Sequence, residues 1–225
     1  MSYGDFLTEF GPRLLSGAIV TMQQAVLASV LAIAIATLMG LMRLSHNAVV
    51  RGTATVYIEI FRGTSLLVQL FWIFFVLPLF GISLEKFTAG FVAVGMNLGA
   101  YGAEVVRGAI QAVPKGQYEA ALALNMSPAT RMRRIILPQA LMIMLPPWGN
   151  LLIELLKGTA LVALISVSDL MFEAKQINGT TFLSIELSIE AFGSALVLYY
   201  VMARLVVTPS MRSLERLMSR RMGRA

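Results

Sequence analysis

The sequence predicts an all-α polytopic membrane protein with five transmembrane helices, and three observations carry that expectation. The chain of 225 residues is 57% hydrophobic and only 13% charged, with a mean hydropathy of +0.77, whereas soluble domains carry about 25% charged residues. Its apolar runs reach roughly 20 residues, enough to cross a ~30 Å hydrocarbon layer at ~1.5 Å per residue. Runs such as residues 25–42 do not alternate as the strands of a barrel must.

The elements follow in order. Tyr3, Phe6, Leu7 and Phe10 fall at i, i+3, i+4, i+7, so residues 1–13 are expected as a short amphipathic helix lying in the interface. This start lacks the basic n-region of a cleavable signal peptide. A first span is expected over 16–42, then a loop over 43–62 with Arg43, Arg51 and Arg62. A second span covers 64–80, closed by Pro78-Leu79-Phe80-Gly81, and a third covers 87–106. A long polar island, 107–139, leads into a fourth span over 140–167. A loop with Asp169, Glu173, Lys175 and Glu186 precedes a fifth span over 187–207. Residues 14–208 thus form one transmembrane domain. The basic tail 209–225 places Met211, Leu214, Leu217, Met218 and Met222 opposite its arginines, the pattern of a helix resting on anionic lipid.

Loop charge sets the orientation. Arg43, Arg51, Arg62, Arg107, Lys115, Arg131, Arg133, Arg134 and the six arginines from Arg204 onward fall on one side; Arg13, Lys86 and Lys175 fall on the other. The richer side is expected to be cytoplasmic. That predicts a multi-pass protein of the cytoplasmic membrane, N-terminus outside and C-terminus inside. The net charge of +6 is explained by these loops and gives no reason to expect nucleic acid. There is no cysteine and a single histidine, His46, so no metal centre is expected. Without a clustered acid/base or metal set, neither is an enzyme.

The polar island reads as two short helices. Residues 117–124 hold good helix formers. Asn125 follows where a left-handed residue would end the helix, and Ser127-Pro128 supplies an N-cap and a first-turn proline. A bracket this short buries little by itself and presents side chains to something else.

Inside the spans, Asn150, Glu154 and Lys157 lie at i, i+4, i+7 on the fourth, and Asn97, Tyr101 and Glu104 repeat that spacing on the third. A mid-membrane charge costs roughly 2.5–3.5 kcal/mol on insertion scales, so these faces are expected to meet protein or water. Glu154 and Lys157 can neutralise one another, either as a structural pair or as the border of a solute path that meets a zwitterion's ammonium and carboxylate. Gln69, and more weakly Thr21 and Gln24, are further path candidates. Glu104 is expected to pair with Arg107 or Arg62. Gly95, Gly99 and Gly102 suggest close helix packing.

The island resembles the EAA loop of ABC-importer permeases, whose pattern is EAA, three residues, Gly, nine residues, Ile, one residue, Leu-Pro. Glu119, Ala120, Ala121, Ile135, Leu137 and Pro138 fit that spacing, with Asn125 in place of the glycine. Both residue types tolerate positive φ. The stretches YIEIFRGTSLLVQLFW, AYGAEVVRGAIQAVPKGQYEAA and LPPWGNLLIELLKGTAL are similar to the polar-amino-acid branch of that family, and the resemblance covers roughly residues 14–208. It implies a type I permease subunit whose loop docks in a groove of an ATP-binding subunit. It also implies two such ATPases, a second permease subunit (a copy or a paralogue) and an extracytoplasmic solute-binding protein. The implied cargo is a polar amino acid of the histidine, glutamine or arginine type, or a compatible solute such as ectoine. In this family a motif like Lys157-Gly158-Thr159 is common whatever the solute, which favours a structural role for Lys157. No GxxxxGK[ST] phosphate loop is present. No cofactor is therefore expected on this chain; ATP and Mg belong to the partner ATPase. The competing reading is an ion-coupled secondary transporter of a small zwitterion, with Glu154 as its proton or sodium site.

Overall fold

The structure, a computed structural model, describes residues 3–179 and 185–221. All the regular structure among the described residues is helical, as lipid demands of a chain that must bond its own backbone groups. Helix α1 (Tyr3–Arg43) is followed by α2 (Ala48–Gly63) and α3 (Leu66–Phe71). The latter runs on through a π-helical turn (Trp72–Val76) and a 3-10 turn (Leu77–Phe80). Next come α4 (Lys86–Gln111), α5 (Lys115–Ala123) and α6 (Pro128–Arg131). A π turn (Met132–Ile136) joins α6 to α7 (Leu137–Gly158), which tightens to 3-10 over Thr159–Ile165. After α8 (Leu170–Gly179), α9 (Ile185–Met202) passes through a π turn (Ala203–Val207) into α10 (Thr208–Arg221). Four helical runs are long and apolar enough to span: Tyr3–Arg43, Lys86–Gln111, Pro128–Ile165 and Leu187–Met218. The pair Ala48–Gly63 and Leu66–Phe80, bent by 107°, makes a fifth if counted as one.

Four boundaries differ from the sequence reading, and each difference has a local cause. Residues 3–13 are the opening turns of α1, not a separate interfacial helix. Pro12 is tolerated inside α1, and Phe6 is fully buried in the main core cluster. The expected loop 43–62 is mostly α2, capped by the Asn47 side chain, which accepts from Val49 N at 2.9 Å; its arginines are spaced along helical turns. The helical run that carries the fourth span begins at Pro128, because the π turn carries the chain through Pro138 without a break. The basic tail continues the fifth span as one rod through α10. Met222 lies outside the described residues.

The scaffold rests on a seam of small residues. Gly17, Thr21, Ala25, Ala28, Ala32, Ala36 and Gly40 form one buried stripe along α1. Ala28, Ala32, Ala36 and Gly40 of this stripe face Gly95, Gly99, Gly102 and Ala103 of α4. A Cβ on Gly99 would sit 2.7 Å from Ile35 Cγ2, and one on Gly102 would sit 2.8 Å from both Ala36 Cβ and Trp148 Cη2. Close backbone approach is the usual source of helix adhesion in lipid, where burial alone supplies little. At the inner edge Glu104 closes the seam. It accepts from Arg107 Nη2 at 2.7 Å, and the Arg43 Nε lies 3.4 Å away. Arg62, the other expected partner, instead stacks on the Tyr101 ring at 5.4 Å.

At the other end, the turn after Ile165 locks onto α1. Ser166 is left-handed (φ 59); Leu170 N donates to Thr21 Oγ1 at 3.0 Å; and a Cβ on Gly17 would meet Asp169 O at 2.9 Å. Gln24 Nε2 donates to Phe87 O at 2.8 Å. Thr21 and Gln24 are fully buried and pin neighbouring backbone. Asp169 is buried as well. It accepts from Phe172 N at 2.8 Å and from Tyr199 OH at 3.4 Å.

Two measurements check this packing. Gly102→Val should cost about 1–3 kcal/mol through overpacking, read as a lower melting temperature in detergent. Gly108→Ala, where nothing lies within 4 Å, should cost nothing. Burial pushes the Asp169 carboxyl up to about 6, only partly offset by its hydrogen bonds to backbone amides and Tyr199. The folded state therefore holds this proton more tightly than the unfolded chain. That contribution is present below the unfolded value near 3.8 and is lost as pH rises through about 6. Between pH 4 and 7, Asp169→Asn should flatten this part of the stability profile.

Candidate functional site

The α5–α6 bracket is built as its residue types dictate. Asn125 adopts φ 52. Around it Met126 N donates to Ala121 O at 3.0 Å and Asn125 N to Leu122 O at 2.8 Å, the paired bonds of a Schellman ending. Ser127 Oγ then accepts from Thr130 N at 3.3 Å, with Pro128 at the first helical position. Two contacts tie α5 to the segment leading into α7. The Arg131 guanidinium lies 5.4 Å from the Tyr118 ring, and Gln139 Nε2 donates to Gln117 Oε1 at 3.2 Å.

This geometry divides the motif residues. Ala121 is buried (2% exposed), so it seats α5 on its own scaffold. Ile135, Leu137 and Pro138 are half-buried along the root of α7. Glu119, Ala120 and Asn125 face outward. Beside them stand Leu122 and Leu124, 59% and 75% exposed. Neither leucine belongs to the EAA pattern. Their signal was present in the sequence as large apolar side chains on a short helix that ends in a polar turn.

Gln69 and Asn97 satisfy backbone that the helix break leaves open. The sharp break between α2 and α3 strands carbonyls at the end of α2. Gln69 Nε2 donates to Phe61 O at 2.9 Å, to Thr64 O at 3.2 Å and to Thr64 Oγ1 at 2.7 Å. Asn97 Nδ2 donates to Phe61 O and to Gln69 Oε1, both at 3.0 Å. Gln69 sits behind this knot and does not line the adjoining cavity. Asn97 reaches both.

That cavity, about 460 Å³, is lined on its polar side by Thr64, Ser65, Asn97, Tyr101, Glu154 and Lys157. The structure therefore gathers four of the path candidates, Asn97, Tyr101, Glu154 and Lys157. Asn150 is exposed and belongs to neither this cavity nor the larger one between α7 and α9. Glu154 and Lys157 form no ion pair with each other among the described residues; both are exposed. The carboxylate and the ammonium thus stand open on the cavity, able to meet opposite charges on a small polar molecule. Asn97→Leu should strip Phe61 O and Gln69 Oε1 of a donor and cost about 1–3 kcal/mol, seen as a lower melting temperature. Asn150→Leu should stay within about 0.5 kcal/mol.

Comparison with known proteins agrees with this architecture. Residues 15–224 match the family described as binding-protein-dependent transport system inner membrane component. The chain is 46% identical over 213 residues to the "Probable amino-acid ABC transporter permease protein y4tF" of Sinorhizobium fredii, covering 90% of this chain and 87% of the relative. It is 37% identical over 209 residues to the glutamine transport system permease protein GlnP of Escherichia coli K12, covering 92% and 93%. Among solved structures, a chain of an amino acid ABC transporter crystallised with histidines superposes with a TM-score of 0.84 at 37% identity, over 93% of this chain and 96% of that one. With its bundle, its bracket and nearly its whole length in that pattern, the chain belongs to the inner membrane components of binding-protein-dependent ABC transport systems.

Proposed function

We propose that this permease subunit carries a small polar solute, a polar amino acid or a compatible solute such as ectoine, through the cavity at Asn97, Tyr101, Glu154 and Lys157. Two ATP-binding subunits drive it by gripping α5. ATP and Mg reside on those subunits, a second permease subunit (a copy or a paralogue) completes the pathway, and an extracytoplasmic solute-binding protein delivers cargo. The N-terminus lies outside and the C-terminus in the cytoplasm. The observation that carries the reading is the pairing of an outward apolar face on α5 with a rigid root. Leu122 and Leu124 are exposed beside Glu119 and Ala120, while Ala121, the Schellman turn and the π turn fix α5 to α7. A push on α5 is therefore delivered to α7, which carries Glu154 and Lys157. Within the cavity, Glu154 meets the cationic group of the solute; Lys157 borders the path and also packs the helix.

The two halves of the mechanism separate by mutation. Leu122→Asp with Leu124→Asp should leave the permease in the membrane yet lower ATP-driven uptake about tenfold or more, with loss of co-purifying ATPase. Full uptake from that variant would sink the coupling role. Glu154→Gln should keep the ATPase bound and lose uptake; wild-type uptake from it would remove Glu154 from the path.

A further inference from the structure

A second, larger cavity of about 730 Å³ opens between α7 and the rod of α9 and α10. Its walls include Ile153, Leu156, Ala160, Phe192 and Tyr199, but Lys157 and Arg204 also face it. Lys157 lines both cavities, so the two adjoin there. In sequence Arg204 counts among the tail arginines. In the structure it lies much deeper. Met211 Cγ packs 3.7 Å from the Cβ position of Gly149, and Gly102 abuts Trp148, so these residues share one level. Arg204 is seven residues earlier on a rod running the opposite way to α7, about 10 Å farther outward at ~1.5 Å per residue. The charged belt of Glu104 and Arg107 lies on the inner side of that level. Arg204 is therefore roughly 15 Å from the belt, about half the depth of the hydrocarbon layer.

Three features set Arg204 apart. It sits in a π-helical turn inside an otherwise α-helical rod, a distortion that frequently marks functional positions. Its side chain is exposed, and among the described residues it has no ion pair. The charged side chains lining the two cavities are Glu154, Lys157 and Arg204, two cations against one carboxylate. A mid-depth arginine left facing lipid is costly and calls for an anion or water.

We infer that the groove between α7 and α9 is a water-filled arm of the solute path in which Arg204 receives the solute's carboxylate. This rests on the reading of the adjoining polar cavity as that path. The planar guanidinium offers a carboxylate two parallel N–H donors, while Glu154, across Lys157, meets the cationic end. Arg204 thereby selects solutes that carry an anionic group.

Because the chain has no cysteine, Ala160→Cys places a unique thiol of this chain in the groove and Ser65→Cys one in the polar cavity. In the purified permease–ATPase complex, each is labelled with anionic sulfonatoethyl and cationic trimethylammonioethyl methanethiosulfonate, read by mass spectrometry and corrected for the reagents' rates on free cysteine. The expected result is a preference of about tenfold for the anionic reagent at Ala160→Cys. It should vanish on adding Arg204→Gln or Arg204→Met and survive Arg204→Lys. Arg204→Met keeps the groove apolar, so a folding defect confined to the glutamine variant does not blunt the test. A preference unchanged without the arginine overturns the inference. So does a silent Ala160→Cys, the result if an acyl chain or a partner helix fills the groove. A silent Ala160→Cys with a reactive Ser65→Cys removes Arg204 alone; if both are silent, the path reading falls with it.

Discussion

The structure depends on how closely α1 and α4 approach. Lipid tails are as apolar as leucine, so burying a greasy face gains little, and adhesion comes from backbones brought within van der Waals contact. The Gly and Ala stripe of α1 against Gly95, Gly99 and Gly102 supplies that contact. It fixes the rotation of α4 about its own axis. One side of α4 is committed to the seam, which leaves Asn97 and Tyr101 facing the broken helix pair and the cavity. Trp148 pressed against Gly102 ties α7 to the same reference. The depth of Glu154 and Lys157 is therefore inherited from a contact made by residues with no chemistry of their own.

A second constraint shapes the site. A bend of 107° between α2 and α3 exposes carbonyls in a place where water is scarce, and such groups must be satisfied by protein. Gln69 and Asn97 do this with three bonds donated to the carbonyls of Phe61 and Thr64, and two more, to Thr64 Oγ1 and Gln69 Oε1, tie the amides into the knot. The bend gives the cavity its Thr64 and Ser65 wall, and the two amides make it tolerable. In the bracket, Asn125 performs the matching task for α5. By accepting a left-handed conformation it lets two amides close the helix end, so that α5 turns sharply back toward α7.

The sequence was legible where one residue type answers one physical demand. Membrane spans followed from apolar length. The glycines of α4 announced the seam, and Asn125, Ser127 and Pro128 marked the ends of the bracket. Legibility failed where the demand is tertiary. Apolar periodicity at Tyr3, Phe6 and Phe10 cannot tell a surface helix from the first turns of a long one, and only packing shows that Phe6 is buried. Arginines in α2 looked like a loop because charge was read without its helical spacing. Gln69, Thr21 and Gln24 looked like path residues because a sequence does not show which carbonyl a side-chain amide will find. Arg204 fell inside the expected fifth span yet was grouped with the tail arginines by charge, because a count of loop charges carries no depth, whereas the rod runs on past it. Within the bracket, the motif named Ala121 beside Glu119 and Ala120. Only the fold separates the residue that seats the helix from those that face outward.

The central claim is that force enters through α5 from an external nucleotide motor and reaches the cavity along α7. The most direct measurement is solute uptake into proteoliposomes holding the complete complex, with ion gradients collapsed by ionophores and ATP supplied on the side of α5. The account predicts uptake that tracks ATP hydrolysis and is indifferent to the gradients. Uptake that persists without the ATP-binding subunits and collapses with the gradients would contradict it.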